Sequence, residues 1–331
     1  MKLKERTVPH RVLQGEALLR NLSPQSSFYP LVENDLSKRK AGYWGETQLD
    51  YYLRLLPHEG YYILNDLRLP FKDDFFQIDC LILTTRYCLV IESKNMKGTL
   101  FFDSKFDQLI RVQEDNSEEV FEDPIVQAKN IILKLSFLLK EHYPDLPFNY
   151  LISIASTKTK LTSDTDKIDR VCHASAIVHK LFELEKQYTK DVLTPHQITN
   201  ICKQFLKIHT PNLKSILKVF GIARNKLLKG IYCPCCNQQM VFFRGKWICG
   251  HCKHISKDAH IQKTMDYFLL VRPYISNQEL RELLGIPTRR AARRILLGSQ
   301  LPYIGERRGR IYLSPSFPQK KTEKEENIHE I

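Results

Sequence analysis

Between residues 192 and 257 the 331-residue chain has no aspartate and no glutamate, against eleven lysines and arginines. An ordinary solvated surface mixes both signs, so a gap of this length points to a module that meets polyanions. The excess is local: residues 192–313 sum to +16, while the whole chain sums to +13. Long apolar runs are also missing. Nothing approaches the ~18 residues of a membrane span, and the greasiest stretch, 131–139, is broken by Lys134. The opening MKLKERTVPH lacks the apolar core of an export signal. Nine cysteines is an odd number, which argues against a disulfide framework. Together these absences predict a soluble, cytoplasmic protein with no membrane partner. Cys80, Cys88, Cys172 and Cys202, scattered in apolar or mixed contexts, are expected as buried free thiols.

What is present falls into blocks. Residues 1–36, with Pro9, Pro24 and Pro30, read as an N-terminal arm. Residues 37–210 alternate helical and strand-like patterns and predict an α/β domain with a mixed sheet flanked by helices. Its first helix is expected over 37–56, and a second starts at Pro124, a residue suited to a first helical turn. A basic linker or helix follows at 211–230, a cysteine-rich block at 231–257, a small helical block at 258–316, and a charged, disordered tail at 317–331.

The α/β block carries charge where a core forbids it. FFQIDCLILTTRYCLVIESKN, residues 75–95, reads as two apolar strands around a tight turn, yet it holds Asp79, Glu92 and Lys94. Glu92 and Lys94 are two apart and share a strand face. A turn centred near Thr85-Arg86 pairs residue i with about 171 − i, which sets Asp79 opposite Glu92. Facing acids repel unless a cation lies between them. Mg²⁺ (or Mn²⁺) on Asp79 and Glu92, with Lys94 near a phosphate, resolves the conflict. The bland alternative is a salt bridge from Lys94 to Glu92 or Asp79 on a half-exposed sheet. Upstream, Gly42 and Gly45 suggest close approach of the first helix to another element, bringing Glu46 to the sheet face. Otherwise Glu46 is an ordinary helix-surface acid paired in sequence with Asp50.

Gly42-x-x-Gly45-Glu46, Gln77-Ile78-Asp79, Ile91-Glu92-Ser93-Lys94 and Pro124-x-x-Gln127, in this order, resemble the nuclease-related domain (NERD) family of the PD-(D/E)xK nuclease superfamily. The resemblance covers about residues 38–155. It implies a restriction-endonuclease-like sandwich over 37–210, with Asp79 and Glu92 holding metal, Lys94 assisting the nucleophile, Glu46 orienting metal or water, and Gln127 contacting phosphate or water. Where the family has Asn before that proline, this chain has Asp123.

In the cysteine-rich block, Cys233-x-x-Cys236 and Cys249-x-x-Cys252 have the spacing of a zinc ribbon, with four thiolates for structural Zn²⁺. Cys235, His251 and His254 are left outside the ligand set. Beyond it, a capping box at Ser276–Glu279 opens one helix, and IPTRRAARRILLG opens the next. That helix exposes Arg289, Arg290, Arg293 and Arg294; a hairpin with Arg307, Arg308 and Arg310 at its tip follows. The pattern resembles a winged helix-turn-helix whose arginines contact DNA; the bland alternative is a small protein-binding bundle. The combined expectation is a metal-dependent endodeoxyribonuclease acting on double-stranded or structured DNA. Two rivals are a non-catalytic DNA-binding or regulatory protein on a nuclease fold, and an RNA-binding or RNA-processing protein.

Overall fold

The computed structural model describes residues 1–165 and 168–315. The charged tail expected at 317–331 lies outside the described residues. The described residues form two compact units, one of residues 1–9 and 37–213, the other of residues 10–36 and 214–315. The expected arm is therefore divided between them, and it is not irregular: it holds β1 (Lys2–Lys4), α1 (His10–Arg20) and the start of α2 (Tyr29–Tyr52).

The rest of the first unit runs β2 (Tyr62–Phe71), β3 (Asp74–Leu83), β4 (Cys88–Lys94), β5 (Thr99–Asp103), β6 (Gln108–Val112), β7 (Glu118–Glu122), α3 (Pro124–Leu139), β8 (Phe148–Ile154), β9 (Lys160–Ser163), β10 (Val171–His173), α4 (Ile177–Glu185) and α5 (Pro195–Ile208). Six strands form a mixed sheet in the order β1-β2-β3-β4-β8-β10. β2, β3 and β4 are antiparallel neighbours, and β8 lies parallel to β4 and β10. Strand alternation divides the apolar residues between two faces. Leu81, Leu83, Cys88 and Val90 pack under Ile131 and Leu135 of α3 and Ile198 and Phe205 of α5. Cys80, Ile82, Leu89 and Ile91 pack under Leu49 of α2 and Ile177 and Leu181 of α4. The alternation is reset at one level of the sheet, on β3 (Ile78 and Leu81, both on the α3 side) as well as on β2. Asp66 has φ 51°, and Leu64 and Leu67, three apart, share the α3 side. A second sheet, β7-β6-β5-β9, packs Leu100, Phe102 and Leu109 against Ala128, Ile152 and Ile154.

α3 begins as expected, with Asp123 accepting from the Ile125 N–H at its N-terminus. α2 begins eight residues earlier than its expected start at Ser37. β10 ends at His173, where a short 3₁₀ turn leads into α4.

The second unit continues with α6 (Ile216–Phe220), β11 (Ile231–Tyr232), β12 (Gln239–Phe243), β13 (Lys246–Cys249), β14 (Ile255–Ser256), α7 (Ala259–Leu270), β15 (Tyr274–Ser276), α8 (Asn277–Leu284), α9 (Arg289–Gly298), β16 (Tyr303–Ile304) and β17 (Ile311–Leu313). α1 packs Ala17 and Leu18 on Ile216, Leu217 and Leu270. Asp266, 2% exposed, takes bonds from Arg20 and Asn21. The cysteine block and the helical block, expected as separate domains, share one core: Trp247 and Met240 join Tyr267, Leu280 and Leu296. A ribbon of some two dozen residues is too small to bury a core alone, so its one tryptophan is covered by neighbouring elements.

Candidate functional site

The β3–β4 register is the one the turn implies. Pairs run from Cys80–Ile91 to Leu83–Cys88, all with indices adding to 171. Pairing stops there, while β4 continues beside β8 to Lys94–Ile154 and β3 beside β2 to Asp74–Phe71. Asp79 and Glu92 thus flank the fork at which the two strands part company. The Ser93 N–H donates to Asp79 Oδ2 at 2.9 Å across it. Lys94 Nζ donates to Glu92 Oε1 at 2.8 Å and to Gln127 Oε1 at 2.7 Å. Four expected site residues are thereby brought together, and the Lys94–Glu92 salt bridge of the bland alternative is present inside the same cluster. A pocket of about 420 Å³ opens beside them, lined by Gln77, Asp79, Glu92 and Glu122 with four α3 residues including Gln127 and Lys134. Glu122, whose carboxylate accepts from Gln127 Nε2 at 2.9 Å, had no signal in the sequence.

Glu46 approaches from α2. α2 covers the sheet face opposite α3, and Glu46 Oε2 accepts from Arg6 Nη1 at 2.5 Å. The Asp79 charge acts on Glu46 as it does on Glu92, so Glu46 lies close to the Asp79 side of the centre. Its tie to the centre runs through Arg6, which also donates to the Asp79 carbonyl at 2.9 Å. Gly45 makes the close approach expected of it: an added Cβ would sit 2.7 Å from Asn95 Cβ. Gly42 does not, because it has nothing within 4 Å and faces open space.

Burial and the Asp79 charge push Glu92 up to about 7. Burial and the same neighbour raise Glu46 to about 7, and Asp79 is raised by its own burial. Carboxylates held reluctant to ionise, with oxygens on a pocket, fit a hard divalent cation, whose charge would lift the penalty. Asp79 and Glu92 are only two acids, which suits Mg²⁺, an ion that keeps waters and phosphate oxygens as its other ligands.

In the second unit, Cys233, Cys236, Cys249 and Cys252 form the one group of three or more candidate ligands gathered within 4.8 Å among the described residues. Sulfur separations are 3.4 Å for Cys233–Cys252 and for Cys236–Cys249. Thiolates at tetrahedral corners around zinc would stand about 3.8 Å apart, so the donor set fits. Two equivalent knuckles build it. Asn237 N–H returns to the Cys233 carbonyl and Lys253 N–H to that of Cys249, with φ 56° and 60° at the two turning residues. N–H groups of Cys252 and His251 bring the Cys249 thiol down to about 6. Cys235 is exposed and outside the group, and His251 and His254 are also outside it. The other four cysteines are buried free thiols, with Cys80 pushed by burial up to about 12.

Arg289, Arg290, Arg293 and Arg294 line the exposed side of α9, opposite buried Ala292, Ile295 and Leu296. Arg307 and Arg310 follow in the turn between β16 and β17, where Arg310 lies 4.0 Å over the Tyr303 ring. The Arg308 side chain lies outside what the structure describes.

Residues 41–155 match the family model described as nuclease-related domain. The first unit therefore carries a nuclease-related (NERD) domain, and the cysteine cluster of the second supports a zinc ribbon. Searches of curated proteins and of solved structures give no match. No helix among the described residues is long and apolar enough to cross a membrane.

Proposed function

We propose that the protein is a divalent-metal-dependent nuclease that hydrolyses DNA phosphodiester bonds, with Asp79, Glu92 and Lys94 as its centre. The observation that carries this is their convergence at the β3–β4 fork, beside a pocket, inside the family-matched segment. The first unit is read as a PD-(D/E)xK sandwich. Asp79 and Glu92 would hold Mg²⁺ or Mn²⁺, which supplies Lewis acidity toward a phosphodiester. Lys94 lies beside them and, with Gln127, orients a phosphate oxygen or water at the pocket. In the second unit Zn²⁺ would be structural on Cys233, Cys236, Cys249 and Cys252. The succession α7, β15, α8, α9, β16, β17 is read as a winged helix, with α9 entering a major groove and the turn after β16 meeting phosphates. DNA is preferred over RNA because an arginine-lined helix suits a wide major groove, which A-form RNA does not offer.

The test is cleavage of plasmid and structured DNA with Mg²⁺ or Mn²⁺. Wild-type protein should cut, and Asp79→Ala, Glu92→Ala and Lys94→Ala should each lose about a hundredfold or more. Equal activity in wild type and all three variants removes the assignment.

A further inference from the structure

Arg6 precedes the family-matched residues, in a stretch whose composition suggests only a lead-in. Its backbone is pinned. β1 pairs with β2 through Lys2–Ile63 and Lys4–Leu64, and Lys4 Nζ donates to the carbonyls of Asn65 and Asp66, both at 2.9 Å. Two residues on, the Arg6 side chain is 2% exposed. A buried guanidinium needs partners for its donors, and here they are all close to the acidic centre. Nη1 donates to Glu46 at 2.5 Å, Nε and Nη2 to the two Asp50 oxygens at 3.0 and 3.3 Å, and Nη2 to the Asp79 carbonyl at 2.9 Å.

The first three bonds are what any buried arginine between an i,i+4 pair of acids would make. The fourth is different, because it reaches the backbone of the residue whose carboxylate faces the pocket. A planar guanidinium fixes angles as well as distances, which an ammonium does not. One rigid group thus couples a turn of α2 to the position of Asp79 on β3, just where β3 has left its pairing with β4 and so lacks ladder support on that side.

We propose that Arg6 is a positioning residue of the acidic centre: it sets the Asp79 backbone, and with it the Asp79 carboxylate, relative to Glu92, while Glu46 and Asp50 hold Arg6 in place. This rests on the reading of Asp79 and Glu92 as a divalent-cation site. It also gives Glu46 a task behind Arg6 in place of direct contact with metal or water, and it makes residues 1–9 a working part of the nuclease-related unit.

The experiment uses the full chain with its cysteine site loaded with zinc. Mn²⁺ binding is followed by calorimetry, and cleavage kinetics run alongside. Groups that orient metal ligands typically change affinity or activity about 10- to 100-fold. Arg6→Lys, folded by thermal melting and with zinc content intact, should weaken Mn²⁺ binding by that factor and lower kcat with little change in KM for DNA. Arg6→Gln should do the same, and Glu46→Gln added to it should cost nothing further. Wild-type Mn²⁺ affinity in folded Arg6→Lys overturns the proposal, and so do independent, additive losses from Arg6→Gln and Glu46→Gln. Should Arg6→Gln fail to fold, Arg6→Lys decides alone. Wild-type protein that binds Mn²⁺ but cuts nothing overturns the nuclease reading while the titrations still judge Arg6. Wild-type protein that binds no Mn²⁺ overturns both.

Discussion

The two candidate metal sites are built in opposite ways. The four cysteines lie within 20 residues of chain, on two knuckles of matching backbone geometry, and bring four thiols within 4.8 Å of one another. The acidic centre draws on Arg6, α2, β3, β4 and α3 across more than 120 residues, and it offers three pocket acids, Asp79, Glu92 and Glu122, with room beside them. A closed set of soft donors suits a metal that holds a fold. An open set of hard donors suits a metal that meets substrate. The cost of each arrangement differs accordingly. The Cys249 thiol of the ribbon is brought toward ionisation by nearby N–H groups, while Glu92 is held away from it by burial.

The largest effect should come from the closed site. Cys249→Ser, or zinc chelation, should unfold the ribbon and loosen the core it shares with α7 and α8, because structural zinc supplies folding energy outright. The nuclease-related unit should keep its own melting transition in calorimetry; loss of both transitions together would erase the contrast. Next in size is nucleic-acid affinity. Arg293→Gln with Arg294→Gln should weaken DNA binding and reduce the slope of log affinity against log salt by about one for each phosphate no longer neutralised. An unchanged slope would remove α9 from the interface.

The open site should show itself in pH. Glu92 is ionised above about 4.5 in the unfolded chain but only above about 7 in the fold. Between those values the folded state holds a proton that the unfolded state has released. Its stabilising contribution is therefore complete below about 4.5 and is lost as pH rises through about 7. Without metal, Glu92→Gln should gain stability relative to wild type across that window, as read by urea denaturation. Mn²⁺ affinity of the wild type should rise over the same range, since ligands must be deprotonated. A flat difference would mean that Glu92 is not buried against Asp79.

The smallest effects separate two glycines of α2. Gly45→Ala must displace Asn95 and should destabilise the unit by about 1–3 kcal/mol. Gly42→Ala meets no neighbour and should stabilise it by about 1 kcal/mol through helix propensity. The same sign for both would contradict the packing of α2 against the sheet.

Features with short-range causes are legible in the chain itself. The 171 register follows from a short turn, because a hairpin of that length leaves few alternatives. The helix ends at Asp123–Pro124, Ser276–Glu279 and Gly285 follow from capping chemistry within four residues of chain. The four-cysteine cluster at Cys233–Cys252 follows from spacing alone. What stays hidden has long-range causes. Glu122 looks like one more surface acid until β7 brings it beside Gln127. Residues 10–36 look like a lead-in until Arg20 and Asn21 are seen to meet Asp266, some 245 residues on.

The sequence by itself determined the partition of charge, the register of the charged hairpin and the zinc-binding spacing, since each depends on residues close in chain or on composition. Only the tertiary structure decided which sheet face each helix covers. With that it decided that Glu46 meets the centre through Arg6, which bonds both Glu46 and the Asp79 backbone. The reason is geometric: alternation along a strand tells which residues share a face, but which helix covers that face is settled by packing between elements far apart in chain.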